Sequence, residues 1–363
     1  MTLGALNGVR VLEAGGVGPT PFCTMLLADM GADVVRVDRG AAEAALFARG
    51  KRAITLDLKS EAGREQLLQL ADRADVLVEG FRPGVAERLG FGPDVVTARN
   101  PALVYARCTG WGQSGPLSSL AGHDINYLAA SGVLALLVSA DGVPTPPLNL
   151  LGDFAGGALG AAFGVVCALV ERAQSGLGQI IDSSMVEGAA LLSTMFHEMI
   201  AKGQHDETRA GSNVLDGGAP FYGVYATADG EWMAVGAIET QFFGQLVEGL
   251  GLNDITGAQQ WDQTKWPELR ARIARAFRQR TRDEWAEFFA DRDACVTPVL
   301  RPTETRHHPH HVARAAFADV GGVTQPAPVP KLSRTPAAVG HEGRSVDADE
   351  VLRHWAVLTK TLT

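Results

Sequence analysis

The first 110 residues alternate short apolar runs with segments of helical pattern, and this alternation most constrains the fold. Runs rich in Val, Leu and Ile predict strands at 9–13, 33–38, 53–58, 75–79 and 103–107. Helical patterns cover 20–30 and 60–72, and Ser60 is the predicted N-cap of the second helix. Strands joined by helices of about a dozen residues form βαβ units with parallel strands. The sequence therefore predicts an α/β fold with a mostly parallel, Rossmann-like sheet.

The second half of the chain differs in character from the first. Two short strand patterns around the turn Asp229-Gly230 predict a hairpin, and helical patterns with mixed charge follow it. We predict a large α/β domain over 1–185 that is completed by a C-terminal return, 328–363. A linker at 186–222, a small α+β domain at 223–310 and a second linker at 311–327 complete the predicted organisation.

Composition excludes several classes of function. The formal net charge of −9 is unfavourable for binding nucleic acids or anionic membranes. The four cysteines form no disulfide or metal-ligand pattern, which indicates a reducing compartment, and the N-terminus shows no signal sequence. The apolar run 154–170 is short for a membrane span and rich in Gly and Ala, so we predict an internal helix. We expect a cytoplasmic protein without membrane insertion and without a nucleic-acid partner.

Two motifs suggest ligand sites but have simpler explanations. The turn Gly15–Pro21 stands where a dinucleotide fingerprint would lie, and Asp38 follows at the distance of a ribose ligand. The third glycine of that fingerprint is missing, and a tight turn with close backbone packing explains the others. The histidine-rich run 306–311 is interrupted by a proline and lacks a recognised ligand pattern. We predict a polar loop there and no metal site.

Basic residues concentrate in the loops beside the predicted sheet, although the chain as a whole is acidic. They are Arg39, Arg49, Lys51, Arg52, Lys59, Arg82 and Arg88. Ligands of open parallel sheets bind near the carboxyl ends of the strands, and arginine side chains match phosphate oxygens. The cluster fits either a phosphate-bearing ligand or a solvated charged rim.

Three ionisable residues are candidates either for a structural role or for catalysis. His123 follows a Gly- and Pro-rich turn at a predicted helix start, and Asp124 can cap that helix. Asp153 lies between Gly152 and the small-residue helix, again at a predicted N-cap position. Glu239 is an isolated carboxylate after an apolar strand of the second domain. Taken singly, each residue has a structural role as its simplest interpretation.

A series of ordered motifs changes that interpretation. The motifs are Gly31-Ala-Asp-Val-Val-Arg-Val-Asp-Arg39, Asp75-Val-Leu-Val-Glu-Gly-Phe-Arg-Pro-Gly84, Glu87-Arg-Leu-Gly90, Thr109-Gly-Trp-Gly-Gln-Ser-Gly-Pro116, Gly122-His-Asp-Ile-Asn-Tyr127, Asn149-Leu-Leu-Gly-Asp-Phe154, Asp216-Gly-Gly-Ala-Pro220, Gly236-Ala-Ile-Glu239 and Asp293-Ala-Cys-Val-Thr-Pro298. Over nearly its whole length the chain resembles the class III CoA-transferase superfamily and, within it, the α-methylacyl-CoA racemases.

The resemblance implies chemistry at a CoA thioester. Transferases of the superfamily use the aspartate matching Asp153 as a nucleophile, and the position matching His123 is usually aromatic in them. The racemases have a histidine there, as this chain does. The resemblance thus implies a racemase that interconverts (2R)- and (2S)-2-methylacyl-CoA by moving the α-proton through an enolate. The alternative is a CoA-transferase that moves CoA between carboxylic acids, with Asp153 as nucleophile.

The same resemblance assigns roles to individual residues. His123 and Asp153 are the two proton-transferring groups, and Glu239 is a third catalytic residue beside Asp153. Our own hypothesis for support of the enolate oxygen is the backbone N–H groups near Gly152–Phe154 together with the side-chain amide of Asn149. The implied CoA contacts, which make 1–185 the CoA-binding domain, are Arg39, Leu56, Lys59, Gly80, Phe81, Arg82, Arg88, Gly122, Asn126 and Tyr127. No cofactor is expected, because CoA is part of the acyl-CoA substrate. The expected partner is a second copy of the chain in an interlocked homodimer.

Overall fold

The structure, a computed structural model, describes residues 4–39, 47–138 and 142–359. These residues divide into two compact units. Unit 1 comprises the described parts of Met1–Val133, Pro146–Thr194 and Pro309–Thr363, and unit 2 those of Leu134–Thr145 and Met195–His308. The chain therefore leaves unit 1 twice and returns to it twice.

The strands and helices follow one another along the whole chain. The strands are β1 (Arg10–Ala14), β2 (Asp33–Asp38), β3 (Lys51–Thr55), β4 (Val76–Glu79), β5 (Val104–Thr109), β6 (Ile180–Ser184), β7 (Tyr222–Ala226), β8 (Trp232–Gly236), β9 (Val296–Pro298), β10 (Phe317–Val320), β11 (Val323–Pro326) and β12 (Arg344–Ser345). The helices are α1 (Pro19–Asp29), α2 (Glu61–Ala71), α3 (Val85–Arg88), α4 (Pro93–Arg99), α5 (Asp124–Ala130), α6 (Val133–Leu136), a π-helical segment (Leu150–Leu159), α7 (Gly160–Ser175), α8 (Met185–Leu192), α9 (Thr194–Ala201), α10 (Thr240–Gly249), α11 (Gly257–Gln260), a 3-10 turn (Gln263–Lys265), α12 (Trp266–Phe277), α13 (Arg282–Phe289), α14 (Pro302–Thr305), α15 (Pro309–Ala313) and α16 (Ala348–Thr359).

A seven-stranded parallel sheet forms the centre of unit 1, in the order β12-β3-β2-β1-β4-β5-β6. This sheet confirms the predicted α/β fold. Successive strand residues point to opposite faces, so Leu12 and Leu77 enter one buried cluster while Val11 and Val78 enter another. The continuous apolar runs of the sequence arise because both faces of the sheet are covered.

The C-terminal segment extends and covers one edge of this sheet. β12 pairs with β3 in parallel, and α16 places Trp355 in the core with no exposed surface. The Trp355 indole N–H donates a hydrogen bond to Asp33 Oδ2 at 2.8 Å. Burying an apolar side chain of this size stabilises the fold by about 2–3 kcal/mol, and the hydrogen bond satisfies its polar atom.

Unit 2 is the smaller α+β part that the sequence predicts. Its sheet is antiparallel, in the order β7-β8-β9, and the predicted hairpin pairs Ala226 with Trp232 across the Asp229-Gly230 turn. The three-residue strand β9 is too short to leave a sequence pattern and was not predicted. The core of unit 2 contains seven buried aromatic side chains, namely Phe221, Tyr225, Phe243, Trp266, Phe277, Trp285 and Phe289.

Two segments predicted as linkers contain regular structure. In 311–327, β10 and β11 form an antiparallel hairpin in which Val320 pairs with Val323. Gly321 and Gly322 join the two strands with φ values of 59° and 80°, a conformation that glycine adopts readily. The start of 186–222 is occupied by α8 and α9. The second of these segments thus contains a hairpin, and the first begins with two helices.

The small-residue run is helical from Leu150 to Ser175, and Gly176 ends it in the left-handed conformation. By length and composition this helix could cross a membrane, and 33% of its most apolar window is buried inside the structure. Phe163 is 73% exposed and Val170 is 60% exposed. The prediction of an internal helix is thus correct for one face only, because the other face presents apolar side chains outward.

Candidate active site

The start of α5 carries His123 at its N-cap position. The His123 backbone is extended, and its N–H donates to Asn126 Oδ1 at 3.0 Å. Tyr127, in the first turn of this helix, donates its hydroxyl to the Gly122 carbonyl oxygen at 2.5 Å and packs edge-on against Trp111. These contacts fix the turn while the His123 side chain stays exposed.

Asp153 lies in the first turn of the π-helical segment, which begins at Leu150 with Asn149 as its N-cap. The N-cap position predicted for Asp153 is therefore wrong, because the helix starts earlier in the chain. Glycines allow this segment to pack tightly on α8: a Cβ on Gly156 would lie 2.7 Å from the backbone nitrogen of Ala189. Irregular winding of this kind is frequent at functional sites.

The surroundings of Asp153 favour its protonated form. Burial raises the pKa of the Asp153 carboxyl, and the charge of Asp124 adds to that effect. A hydrogen bond from Asn149 Nδ2 to Asp153 Oδ2, 3.2 Å long, and the proximity of His123 act in the opposite direction without cancelling it. Asp124, the residue directly after His123, accepts the Asp153 backbone N–H at 2.7 Å, so the backbones that carry these two predicted residues lie close together.

Asp124 contacts this site in a way that the sequence did not suggest. The N-cap of α5 is His123, and Asp124 Oδ2 instead accepts the backbone N–H of Asp153 at 2.7 Å. A Cβ on Gly152 would lie 2.8 Å from the same oxygen, so Gly152 makes room for Asp124. The Asp153 N–H, one of the backbone groups expected near the enolate oxygen, is therefore already engaged. Asn149 donates to the Asp153 carboxylate.

The glycine-rich turn before α1 packs against the same site. Gly18 has a φ of 73°, and a Cβ there would lie 3.4 Å from Asp153 Oδ2. Gly15 has a φ of 72°, and a Cβ there would overlap the Phe81 ring at 2.2 Å. Both positions favour glycine for their backbone conformation, and Gly15 requires it for close approach as well. Close packing thus explains the glycines without a dinucleotide.

The residues implied as CoA contacts lie beyond the carboxyl ends of neighbouring strands, where ligands of parallel sheets bind. Arg39 follows β2, Leu56 and Lys59 follow β3, Gly80, Phe81, Arg82 and Arg88 follow β4, and Gly122, Asn126 and Tyr127 follow β5. The Arg39 guanidinium lies 5.9 Å from the centroid of the Phe81 ring. The Leu56 side chain is 4% exposed and belongs to the core, so it is not available for contact with a ligand.

Three members of the basic cluster have structural partners instead. The Arg49 guanidinium lies 2.7 Å from Asp29, the Lys51 ammonium 2.8 Å from Glu13, and the Arg52 guanidinium 2.6 Å from Asp33. Lys51 and Arg52 belong to the start of β3, the opposite end of the strand from the candidate site. These residues form buried or half-buried ion pairs, so a phosphate-binding role stays a prediction only for the rest of the cluster.

A buried network that the sequence did not reveal supports Phe81. Its backbone N–H donates to Glu79 Oε2 at 2.6 Å, and Arg107 Nε donates to Glu79 Oε1 at 2.8 Å. Arg107 also pairs with Glu87 at 2.8 Å. Glu79 is fully buried, and burial raises its pKa. The only sequence signal for this network is a charged residue inside each of two apolar strands.

Glu239 belongs to unit 2, whereas His123 and Asp153 belong to unit 1. It is the N-cap residue of α10, and its side chain is exposed. Its carbonyl oxygen accepts the Phe243 N–H at 2.9 Å. The pairing of Glu239 with Asp153 stays a prediction.

Known proteins resemble the chain over most of its length. The sequence profile of CoA-transferase family III matches residues 6–343. Mouse alpha-methylacyl-CoA racemase is 52% identical over 334 residues, which cover 92% of this chain and 87% of the mouse protein. The human protein of that name is 48% identical over 336 residues, 92% of this chain and 88% of its own. A crystal structure of Rv3272 from M. tuberculosis aligns with a TM-score of 0.79 at 26% identity, covering 99% of each chain. The chain belongs to CoA-transferase family III.

Proposed function

We propose that this chain is an α-methylacyl-CoA racemase, an isomerase that interconverts (2R)- and (2S)-2-methylacyl-CoA. The observation that carries the proposal is the placement of a histidine, His123, next to the residue that holds the Asp153 backbone: Asp124 accepts the Asp153 N–H at 2.7 Å. A transferase needs the aspartate alone, whereas racemisation needs two proton-transferring groups. Relatives at 52% and 48% identity carry the racemase name.

The reaction proceeds through two proton transfers at the α-carbon. Neutral His123 takes the α-proton of one enantiomer, and the electron pair of the broken C–H bond moves onto the thioester oxygen as an enolate. Protonated Asp153 then gives its proton to the opposite face of the carbon. The other enantiomer reacts with the two roles exchanged. General acid–base catalysis of this kind contributes on the order of 10²–10⁴-fold, and the raised pKa of Asp153 supports its acid form.

The enolate oxygen needs hydrogen-bond donors, each worth about 3–4 kcal/mol in the transition state. Backbone N–H groups in the first turn of a helix have no acceptor within the helix. Because Asp124 occupies the Asp153 N–H, we assign this role to the neighbouring N–H of Gly152, with Asn149 holding the Asp153 carboxylate.

The substrate is an acyl-CoA thioester, and the reaction requires no separate cofactor. We assign the CoA moiety to the loops beyond β2, β3, β4 and β5, where Arg39, Lys59, Arg82 and Arg88 are exposed. Guanidinium and ammonium groups on this edge match the phosphate oxygens of CoA. We propose Glu239 as the third catalytic residue, as the family resemblance implies.

We further propose that the protein acts in the cytoplasm as an interlocked homodimer. Apolar residues on the outer face of α7, among them Phe163 and Val170, are exposed in the single chain. A second copy of the chain would cover them, as the family resemblance predicts, whereas a membrane-inserted helix is not expected. Sedimentation analysis should give a dimer without detergent; a monomer that binds lipid vesicles would contradict this assignment.

The decisive experiment uses a single enantiomer of a 2-methylacyl-CoA in deuterated water, without an acceptor acid. Racemisation with uptake of deuterium at the α-carbon is expected. Replacing His123 with alanine, or Asp153 with asparagine, should abolish the exchange. His310→Ala is the matched control, because His310 is an exposed histidine outside the site.

The wild-type protein and the same variants also distinguish a racemase from a CoA-transferase. A transferase forms an acyl anhydride on Asp153, which hydroxylamine traps, and it passes CoA to an added carboxylic acid. Absence of α-exchange together with CoA transfer and hydroxylamine inactivation would reject the racemase proposal. Full exchange in His123→Ala would remove His123 from the mechanism.

A further inference from the structure

We propose that Asp124 is a positioning residue for the proton transfer between His123 and Asp153, an inference that rests on the proposed function. Asp124 directly follows His123 and is the first residue of α5. Its Oδ2 accepts the backbone N–H of Asp153 at 2.7 Å, across 29 positions of the chain. One carboxylate thus ties the helix that carries one base to the segment that carries the other.

Asp124 is a buried carboxylate with few partners besides the Asp153 N–H. The residue is 5% exposed, and a Cβ on Gly152 would lie 2.8 Å from Oδ2, so the close approach depends on a glycine. Within residues 4–39, 47–138 and 142–359, the other oxygen, Oδ1, is buried without a hydrogen-bond partner, and no Lys or Arg forms an ion pair with the carboxylate. A buried, half-satisfied carboxylate is unfavourable for stability. Such features are typical of positions that function constrains.

The charge of Asp124 has an effect beyond geometry. It helps to raise the pKa of Asp153, after the larger effect of burial, and His123 acts in the opposite direction. Cys108 and Tyr127 are also coupled to Asp153, but burial raises the pKa of each, so both are neutral near pH 7. Asp124 therefore places a negative charge beside the group that must carry a proton.

Two substitutions separate the geometric effect from the electrostatic one. Asp124→Asn keeps an oxygen that accepts the Asp153 N–H but removes the charge, and Asp124→Ala removes both. Asp94→Asn is the matched control, because Asp94 is also a first-turn helix acid but is exposed. Each variant is assayed for kcat, KM and pH profile of α-deuterium exchange, and for thermal unfolding. NMR of protein labelled with carboxyl-¹³C aspartate follows the titration of Asp153, whose signal the Asp153→Asn variant identifies.

In Asp124→Asn we expect Asp153 to titrate at lower pH, with kcat at pH 7 about tenfold lower and KM within about twofold of wild type. Asp124→Ala should lose about 100-fold in kcat, because the two bases are no longer held in register. Asp94→Asn should match wild type in every measurement.

Two results would overturn the proposal. The first is an unchanged Asp153 titration and pH profile in Asp124→Asn. The second is a loss of kcat in Asp124→Ala no larger than the loss of folded protein, which would make the residue structural. Wild-type protein without α-exchange would refute the proposed function instead, and the NMR titration would still test the effect of Asp124 on Asp153.

Discussion

Replacing Lys51 with methionine would leave the Glu13 carboxylate charged and unpaired inside unit 1. Both side chains are 2% exposed, and the Lys51 ammonium lies 2.8 Å from Glu13 Oε2. The same ammonium donates to the Pro21 carbonyl oxygen and to the Thr24 hydroxyl, each at 2.7 Å. Thr24 in turn donates to Glu13 at 2.5 Å. All three ammonium protons are therefore used, and the substitution removes three hydrogen bonds at once.

The size of the effect follows from the burial of the pair. Removing one partner of a buried ion pair costs about 3–5 kcal/mol, since the remaining charge keeps its desolvation penalty. Removing both charges is far less costly. Lys51→Met should thus lower the free energy of unfolding by about 3–5 kcal/mol, and adding Glu13→Gln should restore at least about 2 kcal/mol of it.

Urea unfolding at pH 7 and fixed protein concentration measures these differences. Lys202→Met is the matched control, because Lys202 pairs with Glu198 on the surface at 58% and 64% exposure. That pair is worth less than about 0.5 kcal/mol. Two results would refute the role of the buried pair. The first is a loss of stability in Lys51→Met no larger than that in Lys202→Met. The second is a loss in the Lys51→Met, Glu13→Gln double variant equal to the sum of the losses in Lys51→Met alone and Glu13→Gln alone.

Three further predictions concern the site and the core. Gly18→Ala should lower kcat for α-exchange, because relief of the strain at its positive φ would move the turn, and the new methyl group would be in contact with Asp153 Oδ2 at 3.4 Å. Gly8→Ala has a similar positive φ with nothing within 4 Å and should lose stability only. Asp153→Asn should raise the free energy of unfolding at pH 7 relative to wild type, because the raised pKa of Asp153 means that its ionised form destabilises the fold. Urea titrations should show this gain in stability vanishing below about pH 4, where Asp153 is protonated in the unfolded chain too. Trp355→Ala should cost about 3–5 kcal/mol in the same assay, and a loss below about 1 kcal/mol would contradict its role in the core.

The parallel sheet could be predicted because its central strands are continuous apolar runs. Edge strands lack that signal. β6 begins with Ile180, which is 50% exposed, and β12 has two residues, so neither has a run to detect. β3 was placed two positions late because Lys51 and Arg52 look like loop residues. They lie within the strand since Glu13 and Asp33 neutralise them, and that pairing is a long-range contact that no local pattern records.

The catalytic candidates came from motifs rather than from local chemistry. His123 and Asp153 each resembled a helix cap, and only the ordered series of motifs distinguished them. The sequence predicts Asp124 only as a possible cap of α5. Its actual partner, the Asp153 backbone, lies 29 positions away and depends on the packing of Gly152 against it. Such a contact has no periodicity, so the sequence could not predict it.

The electrostatics of Asp153 bear on the choice between racemase and transferase. A nucleophilic aspartate attacks as the carboxylate, and an environment suited to that role would lower its pKa. Here burial and the charge of Asp124 raise the pKa of Asp153, and the opposing effects of Asn149 and His123 do not reverse the direction. A raised pKa increases the share of the carboxyl that carries a proton, and that is the form that can donate a proton and cannot attack a thioester. His123, to which we assign the other proton transfer, thus precedes the residue that holds an aspartate whose surroundings favour the protonated form used in the proposed racemisation.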